Sequence, residues 1–283
     1  MSFFSRMKYK YSENRPLIYD EGLRLAYSTV SVCGGTLRGK TAVVTGATGG
    51  IGRAIVQRLL DEGASVIITG RSDEKLKCTA ESLRKNKTTN VYSIVLDQSN
   101  LKSLKQGVDD AFGLCSINLW INCAGIFKDT DRDRIFRGVS ADTYFDVINT
   151  NLRSTIMLTK LVADRMILQG TGTCQIINIA SICGLTNHYG YTPYGISKTG
   201  VIEYTRLLAE KYLGEVIIEA VAPGSVATRM GAKQLGCNIS GNNALTNHVA
   251  LPEETAAVVC FMASHLGKYF NGQTIVASAA EQV

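Results

Sequence analysis

Seven short apolar runs rich in β-branched residues punctuate the chain, at Thr41 to Thr45, Ser65 to Thr69, Val91 to Leu96, Ile117 to Asn122, Cys174 to Ala180, Val216 to Val221 and Thr274 to Val276. Continuous apolar character of this kind predicts strands buried on both faces. Between the runs the apolar positions take helical spacing, over Ile51 to Glu62, Asp73 to Lys85, Leu101 to Phe112, Ala141 to Leu168, Thr192 to Tyr212 and Glu253 to Ser264. Pro252 suits the opening of the last helix, and the long Ala141 to Leu168 stretch is expected to break or bend. Strands alternating with helices predict an α/β fold with right-handed crossovers. We expect a single-domain, doubly wound parallel sheet of about seven strands with helices on both faces. Such a sheet places its ligand crevice at the carboxyl ends of the strands. Residues 39–283 make up this domain, and residues 1–38 precede the pattern as an N-terminal extension or arm.

The first strand runs directly into Thr45-Gly46-Ala47-Thr48-Gly49-Gly50-Ile51-Gly52-Arg53 and then a helix. This strand, glycine turn and helix order is the context a dinucleotide fingerprint requires, and it marks the fold as Rossmann-like. Gly46 allows a tight turn, while Gly50 and Gly52 remove side chains where backbone approaches a pyrophosphate and where helix packs on strand. After the second strand, Arg71 stands where an acidic residue would bind the ribose 2′-hydroxyl of NAD. An arginine there can hold the 2′-phosphate of NADP, so NADP(H) is preferred and NAD(H) stays open. The competing reading of Arg71 is a surface residue paired with Asp73 or Glu74.

Further along, Ser181 lies thirteen residues before Tyr194, and Lys198 follows Tyr194 at a spacing of four. On a helix that spacing stacks phenol and ammonium on one face, with Cβ atoms roughly 5–6 Å apart. Free tyrosine titrates near 10, and an adjacent cation favours the phenolate. Reduction of a ketone needs a hydride at carbon and a proton at oxygen, so an acid must reach that oxygen. Tyr194 fits the acid, and Ser181, at the end of an apolar strand, fits a donor that holds the substrate oxygen. A Tyr and Lys four apart can equally be a surface pair, and it is Ser181 and the glycine loop that favour chemistry.

Composition narrows the rest. The 283 residues are 45% hydrophobic, with a net charge of +6 from 30 basic and 24 acidic residues. The basic residues are interspersed with acids, which favours a solvated surface over nucleic-acid binding. The eight cysteines include no C-x-x-C pair and no histidine at ligand spacing, so no metal site is expected. Cys123, Cys174 and Cys260 lie inside apolar runs and read as small buried hydrophobes in a reducing compartment. No apolar run reaches the roughly 18 residues of a membrane span, and a cytoplasmic protein is expected. The alternative is mitochondrial: Phe3, Met7 and Tyr11 share a helical face among Arg6, Lys8 and Lys10, and no acid appears before Glu13.

Five matches in this order give the chain a resemblance to the short-chain dehydrogenase/reductase family over about residues 38 to 280: Thr45-Gly46-x-x-x-Gly50-Ile51-Gly52, Asn122-Cys123-Ala124-Gly125, Asn151, Ser181 with Tyr194-x-x-x-Lys198, and Pro223-Gly224. The resemblance implies Asn151, Ser181, Tyr194 and Lys198 as a catalytic tetrad. Lys198 would bind the nicotinamide ribose and Asn151 would hold a proton-carrying water, although Asn151 read by itself could equally be a helix-kink residue. It also implies a cofactor site of Gly46, Gly50, Ile51, Gly52, Arg71, Asp97, Asn122, Ala124, Gly125, Tyr194, Lys198, Pro223, Gly224 and Thr228. Asp97 would lie near the adenine, and Pro223-Gly224 through Thr228 at the nicotinamide. Cys123 replaces the family's second Asn, and Ser278-Ala279-Ala280 replaces its Asp-Gly-Gly, which leaves the terminal turn open.

Substrate contacts are expected from Ser181, Cys183, His188 and Tyr194, with the 183–192 and 229–250 segments shaping the pocket. The expected function is an oxidoreductase that moves a hydride between NADP(H) and a ketone or secondary alcohol of the 3-oxoacyl, steroid-like or small carbonyl kind. Its alternative is a non-catalytic dinucleotide sensor or scaffold. The resemblance further implies a homodimer or homotetramer built on the helices after Ala141 and Thr192.

Overall fold

A computed structural model describes residues 37–84, 90–128, 140–186, 192–235 and 249–278. In chain order the elements are β1 (Thr41–Thr45), α1 (Gly50–Asp61), β2 (Ser65–Gly70), α2 (Asp73–Leu83), β3 (Val91–Val95), α3 (Leu101–Leu114) and β4 (Leu119–Asn122). There follow α4 (Ala141–Ile148), a π-helical turn (Asn149–Arg153), α5 (Ser154–Gln169), β5 (Cys174–Ile179), a 3-10 turn (Ile182–Gly184) and α6 (Thr192–Lys211). The last are β6 (Val216–Pro223), α7 (Arg229–Leu235), α8 (Pro252–Ala263), a second 3-10 turn (Gly267–Phe270) and β7 (Thr274–Ala277). The seven strands form one parallel sheet in the order β3-β2-β1-β4-β5-β6-β7.

Alternation along the strands splits the core into two layers, because successive side chains leave opposite faces of a sheet. Val43, Ile67, Trp120, Ile176 and Ile218 pack on α3, α5 and α6, whereas Ala42, Val44, Val66, Ile68, Ile121 and Ile177 pack on α1, α2 and α8. Both layers are apolar, which is why the central strands read as unbroken hydrophobic runs. The expectation of burial on both faces fails at the two edges. In β3, Tyr92 and Val95 are exposed, and in β7 Val276 is 41% exposed. An edge strand has a neighbour on one side only, and the crossovers leave part of its surface uncovered. Leu37, ahead of β1, is fully buried in the α1 layer.

The expected break in the long helical stretch is the π turn at Asn149–Arg153. A π turn widens the backbone hydrogen bonding by one residue and disturbs the carbonyls beside it. Two consecutive hydroxyls answer this: Ser154 Oγ donates to the Thr150 carbonyl, and Thr155 Oγ1 donates to the Asn151 carbonyl at 2.8 Å. Among the described residues no helix is long and apolar enough to cross a membrane.

One acid is buried in the sheet. Glu219 of β6 has no exposed surface, receives a hydrogen bond from Gln175 Nε2 at 3.1 Å, and leaves its other oxygen without a partner. Burial pushes its carboxyl up to about 8, against the opposing Gln175 bond. A folded-state value above the unfolded one means the folded chain holds the proton more tightly. Its stabilising contribution is therefore complete below the unfolded value of 4.5 and is lost as pH rises through about 8. Between pH 6 and pH 9 the melting temperature of the native chain is expected to fall more than that of Glu219→Gln. Parallel melting curves for the two proteins would contradict this.

Candidate active site

The carboxyl ends of β1, β4, β5 and β6 converge on the residues singled out in the sequence. After β1 the chain turns at Gly46, whose φ of 65° lies in the left-handed region. A Cβ on Gly46 would come within 2.7 Å of the Ala124 backbone, and one on Gly52 within 2.3 Å of the Gly46 carbonyl oxygen. The turn thus packs against the segment after β4 on one side and against the first turn of α1 on the other. Opposite, a Cβ on Gly50 would meet the Thr228 side chain at 2.6 Å, so the loop after β6 lies over the glycine turn. No side chain caps α1 and no acid occupies its first turn. Its leading N–H groups and dipole therefore favour an anion. This cradle fits a pyrophosphate.

Arg71 lies just past β2, and it is Lys77 that pairs with Asp73, at 2.7 Å. No ion pair joins Arg71 to Asp73 or Glu74, so the surface-pair reading of Arg71 is not what the structure adopts. Asp97 follows β3, where its Oδ1 accepts from the Ser99 N–H and hydroxyl. Asn122 plays an internal part. Its amide donates to Asn178 at 2.8 Å and to Thr159 at 3.2 Å, and its oxygen accepts from Trp120 Nε1 at 2.9 Å. The side chain is occupied inside the sheet and holds β4 against β5 and α5 rather than facing the crevice. Thr45 Oγ1 accepts from the Cys123 and Ala124 N–H groups at 3.0 and 3.1 Å, which ties the glycine turn to the end of β4. The Gly224 N–H reaches the Ala277 carbonyl at 2.9 Å, so β6 and β7 stay paired up to the changed terminal segment.

Tyr194, Lys198 and Asn151 come together. Lys198 is buried, and its Nζ donates to the Ile179 carbonyl at 2.7 Å and lies 5.7 Å from the centroid of the Tyr194 ring. Burial lowers its ammonium to about 8, with Cys123 and then Cys183 acting weakly in the opposite sense. Asn151, 1% exposed, accepts from the Ile126 N–H at 2.8 Å, donates to the Ile126 carbonyl at 3.0 Å and reaches Ser197 Oγ at 3.3 Å. Ser197 in turn donates to the Tyr194 carbonyl at 2.6 Å. A Cβ on Gly125 would sit 3.3 Å from Asn151 Oδ1 and 3.7 Å from Lys198 Nζ, so the bare backbone there lets both groups face one space. Ser181 Oγ accepts from the Cys183 N–H at 3.2 Å, which leaves its own hydrogen to donate outward.

Cys123 carries a thiol pushed up to about 12 by burial, with the Lys198 charge opposing, and it stays protonated at neutral pH. Cys183 is buried beside Tyr194. His188 lies outside the described residues, as does the possible presequence. Phe127, Val147 and Met230, which also border Tyr194, were not legible as site residues, because each is one apolar residue among many in the sequence.

The family model described as short chain dehydrogenase matches residues 40–236. The chain is 33% identical to the 3-oxoacyl-[acyl-carrier-protein] reductase FabG of Aquifex aeolicus, over 84% of this chain and 96% of that protein. It is 32% identical to the 7alpha-hydroxysteroid dehydrogenase of Bacteroides fragilis, over 84% of this chain and 92% of that protein. Among solved structures it is similar to a protein from Beutenbergia cavernae assigned as an NAD(P)-dependent gluconate 5-dehydrogenase, with NADP bound at low occupancy. The TM-score there is 0.76 at 27% identity, covering 87% of this chain and 98% of that one.

Proposed function

The chain belongs to the short-chain dehydrogenase family, and on that premise we propose that it interconverts a ketone and a secondary alcohol with NADP(H), using Tyr194 as acid and base. The observation that carries the proposal is the meeting of the Tyr194 ring and the Lys198 ammonium at 5.7 Å, beside the bare backbone of Gly125. With its pyrophosphate held in the cradle, the reduced cofactor would supply the hydride. Ser181 donates its free hydrogen to the substrate oxygen and holds it, and Tyr194 gives that oxygen a proton. Lys198 uses one of its three donors on Ile179 and keeps two for the ribose hydroxyls and the phenol. Asn151, fixed by both polar groups of Ile126, holds the route by which a proton returns to Lys198. In the oxidative direction the same groups run in reverse, with the phenolate as base.

NADP(H) is supported by the unpaired Arg71 at the end of β2, by the absence of an acid there, and by the NADP in the Beutenbergia structure. The test is loss of NADPH fluorescence over a panel of ketones, beside a binding titration. Binding without turnover on any ketone would favour a sensor instead. Arg71→Asp is expected to raise the Michaelis constant for NADPH about 10- to 150-fold through loss of a charge-assisted hydrogen bond. The constant for NADH should change far less, and an unchanged NADPH to NADH ratio would remove Arg71 from the site.

Assembly as a homodimer or homotetramer fits the exposed Phe145 of α4 and the exposed Ile196 and Leu207 of α6. The six cysteines among the described residues are free thiols, which fits a reducing cytoplasmic setting.

A further inference from the structure

The apolar border of Tyr194 identifies the substrate class, on the reading that Tyr194 is the acid. Phe127, Val147, Cys183 and Tyr194 form a buried cluster apart from the two core layers, with Ile126 and Met230 packed against it. Its members come from separate parts of the chain: the segment after β4, α4, the 3-10 turn after β5, the first turns of α6, and α7. The Phe127 and Tyr194 rings meet edge to face, with centroids 5.5 Å apart and planes at 80°, an arrangement that aromatic quadrupoles favour. Phe127, Cys183 and Tyr194 keep 7%, 8% and 7% of their surface exposed, while Val147 keeps none. Val147 is the most deeply buried of the four, and the cluster forms an apolar wall beside Tyr194.

The Lys198 ammonium lies on the Tyr194 side of the cluster, and two further charges pair with each other beside Phe127 and Val147. Lys128 and Asp146, chain neighbours of Phe127 and Val147, meet at 2.6 Å and clip the segment after β4 onto α4. Its apolar members beside Tyr194 are Phe127, Val147, Cys183, Ile126 and Met230, and the Phe127 ring carries no hydrogen-bonding group. A hydroxyl pressed against it would give up water without gaining an equivalent partner, whereas a methylene would gain by leaving water.

We propose that the substrate is a ketone whose flank beside Tyr194 is alkyl or acyl chain rather than hydroxylated, and that Phe127 is the residue that selects it. The inference separates two chemistries found among the relatives, an acyl chain and a sugar acid, in favour of the first.

The experiment uses the full chain with NADPH and two matched ketone series. One carries a lengthening linear alkyl flank, and the other carries hydroxyls on the same carbons. In the alkyl series kcat/KM is expected to rise about fourfold per methylene until the wall is covered. Hydroxylated matches are expected to be about tenfold poorer or worse. Phe127→Ala should collapse the ratio between the longest alkyl ketone and its hydroxylated match, with the NADPH dissociation constant unmoved, and Phe127→Leu should recover most of that ratio. Taking a ratio cancels any general loss of activity. Equal or better turnover of the hydroxylated series by the native protein would overturn the proposal without needing any variant, as would a Phe127→Ala protein that slows both series alike. Turnover of no ketone in either series would overturn the dehydrogenase reading and this inference with it, whereas a flat response among active ketones overturns this inference alone.

Discussion

Tyr194→Phe is expected to lower kcat about 10³-fold or more while the dissociation constant for NADPH stays within about twofold of the native value. General acid–base groups typically contribute 10²- to 10⁴-fold, and this variant removes only the hydroxyl that would carry the proton. The ring remains, and with it the edge contact to Phe127 and the approach of Lys198. These ring contacts are kept in the variant, so the loss reports chemistry. Stopped-flow hydride transfer from bound NADPH, alongside a fluorescence titration, separates the two effects. A variant that binds NADPH and still turns over at near the native rate would end the assignment of Tyr194 as acid. One that fails to bind would place the phenol in cofactor recognition instead.

The fold was legible because sheet topology follows from the order of apolar runs. The five inner strands of the sheet are buried on both faces, and the alternation of Val43 with Ala42 and Val44 between two layers is what an unbroken run conceals. Edge strands were read less well. Tyr92, Val95 and Val276 have the composition of buried strand residues, and only their outer place in the strand order exposes them. Helix ends came within two residues both where a side chain caps the start, as Ser72 does for α2 and Asn100 for α3, and where none does, as in α1.

The site divides along a similar line. Glycines, Tyr194, Lys198 and Ser181 announce themselves because few residues can do what they do at those spacings. Gly50 is a case where the structure supplies the reason, since Thr228, far along the chain, occupies the space a side chain would need. Asn151 was ambiguous between chemistry and a helix kink, and the structure places it in the π turn. The π turn turns its side chain onto both polar groups of Ile126, and Thr155 covers its carbonyl. A run of hydroxyls at Ser154 and Thr155 is the signal that could have located the π turn. Asn122 shows the reverse failure: it belongs to a cofactor motif, yet its side chain serves the interior of the sheet. Phe127 gave no signal at all, because its importance lies in an angle to Tyr194 that linear spacing does not encode.

Lys198→Met is expected to lower kcat by about 10²- to 10⁴-fold with little change in folding stability. Burial holds the Lys198 ammonium at about 8, below the ordinary 10.5. Below pH 8 the native chain therefore carries a buried charge at a cost of roughly 3 kcal/mol, relieved only as pH rises from about 8 towards 10.5. Methionine fills a similar volume without that charge, and this gain is offset by the Ile179 carbonyl losing its donor, at about 1–3 kcal/mol. Chemistry has no such compensation, since the charge that favours the phenolate and the donors for the ribose go together. The pH profile gives the sharper reading. In the native protein kcat/KM for reduction should fall as pH rises through about 8, where free Lys198 loses its proton. The bound cofactor's negative charge should move that limb upward in kcat. Both effects should be missing in Lys198→Met, whose residual rate is expected to be flat there. The part of the Lys198 effect that runs through Tyr194 is already lost in Tyr194→Phe, so the double variant with Lys198→Met should be slower than Tyr194→Phe by much less than the full Lys198→Met loss. A double variant slowed by the product of the two single losses would show the residues acting independently, and the coupling of ammonium to phenol would have to be abandoned.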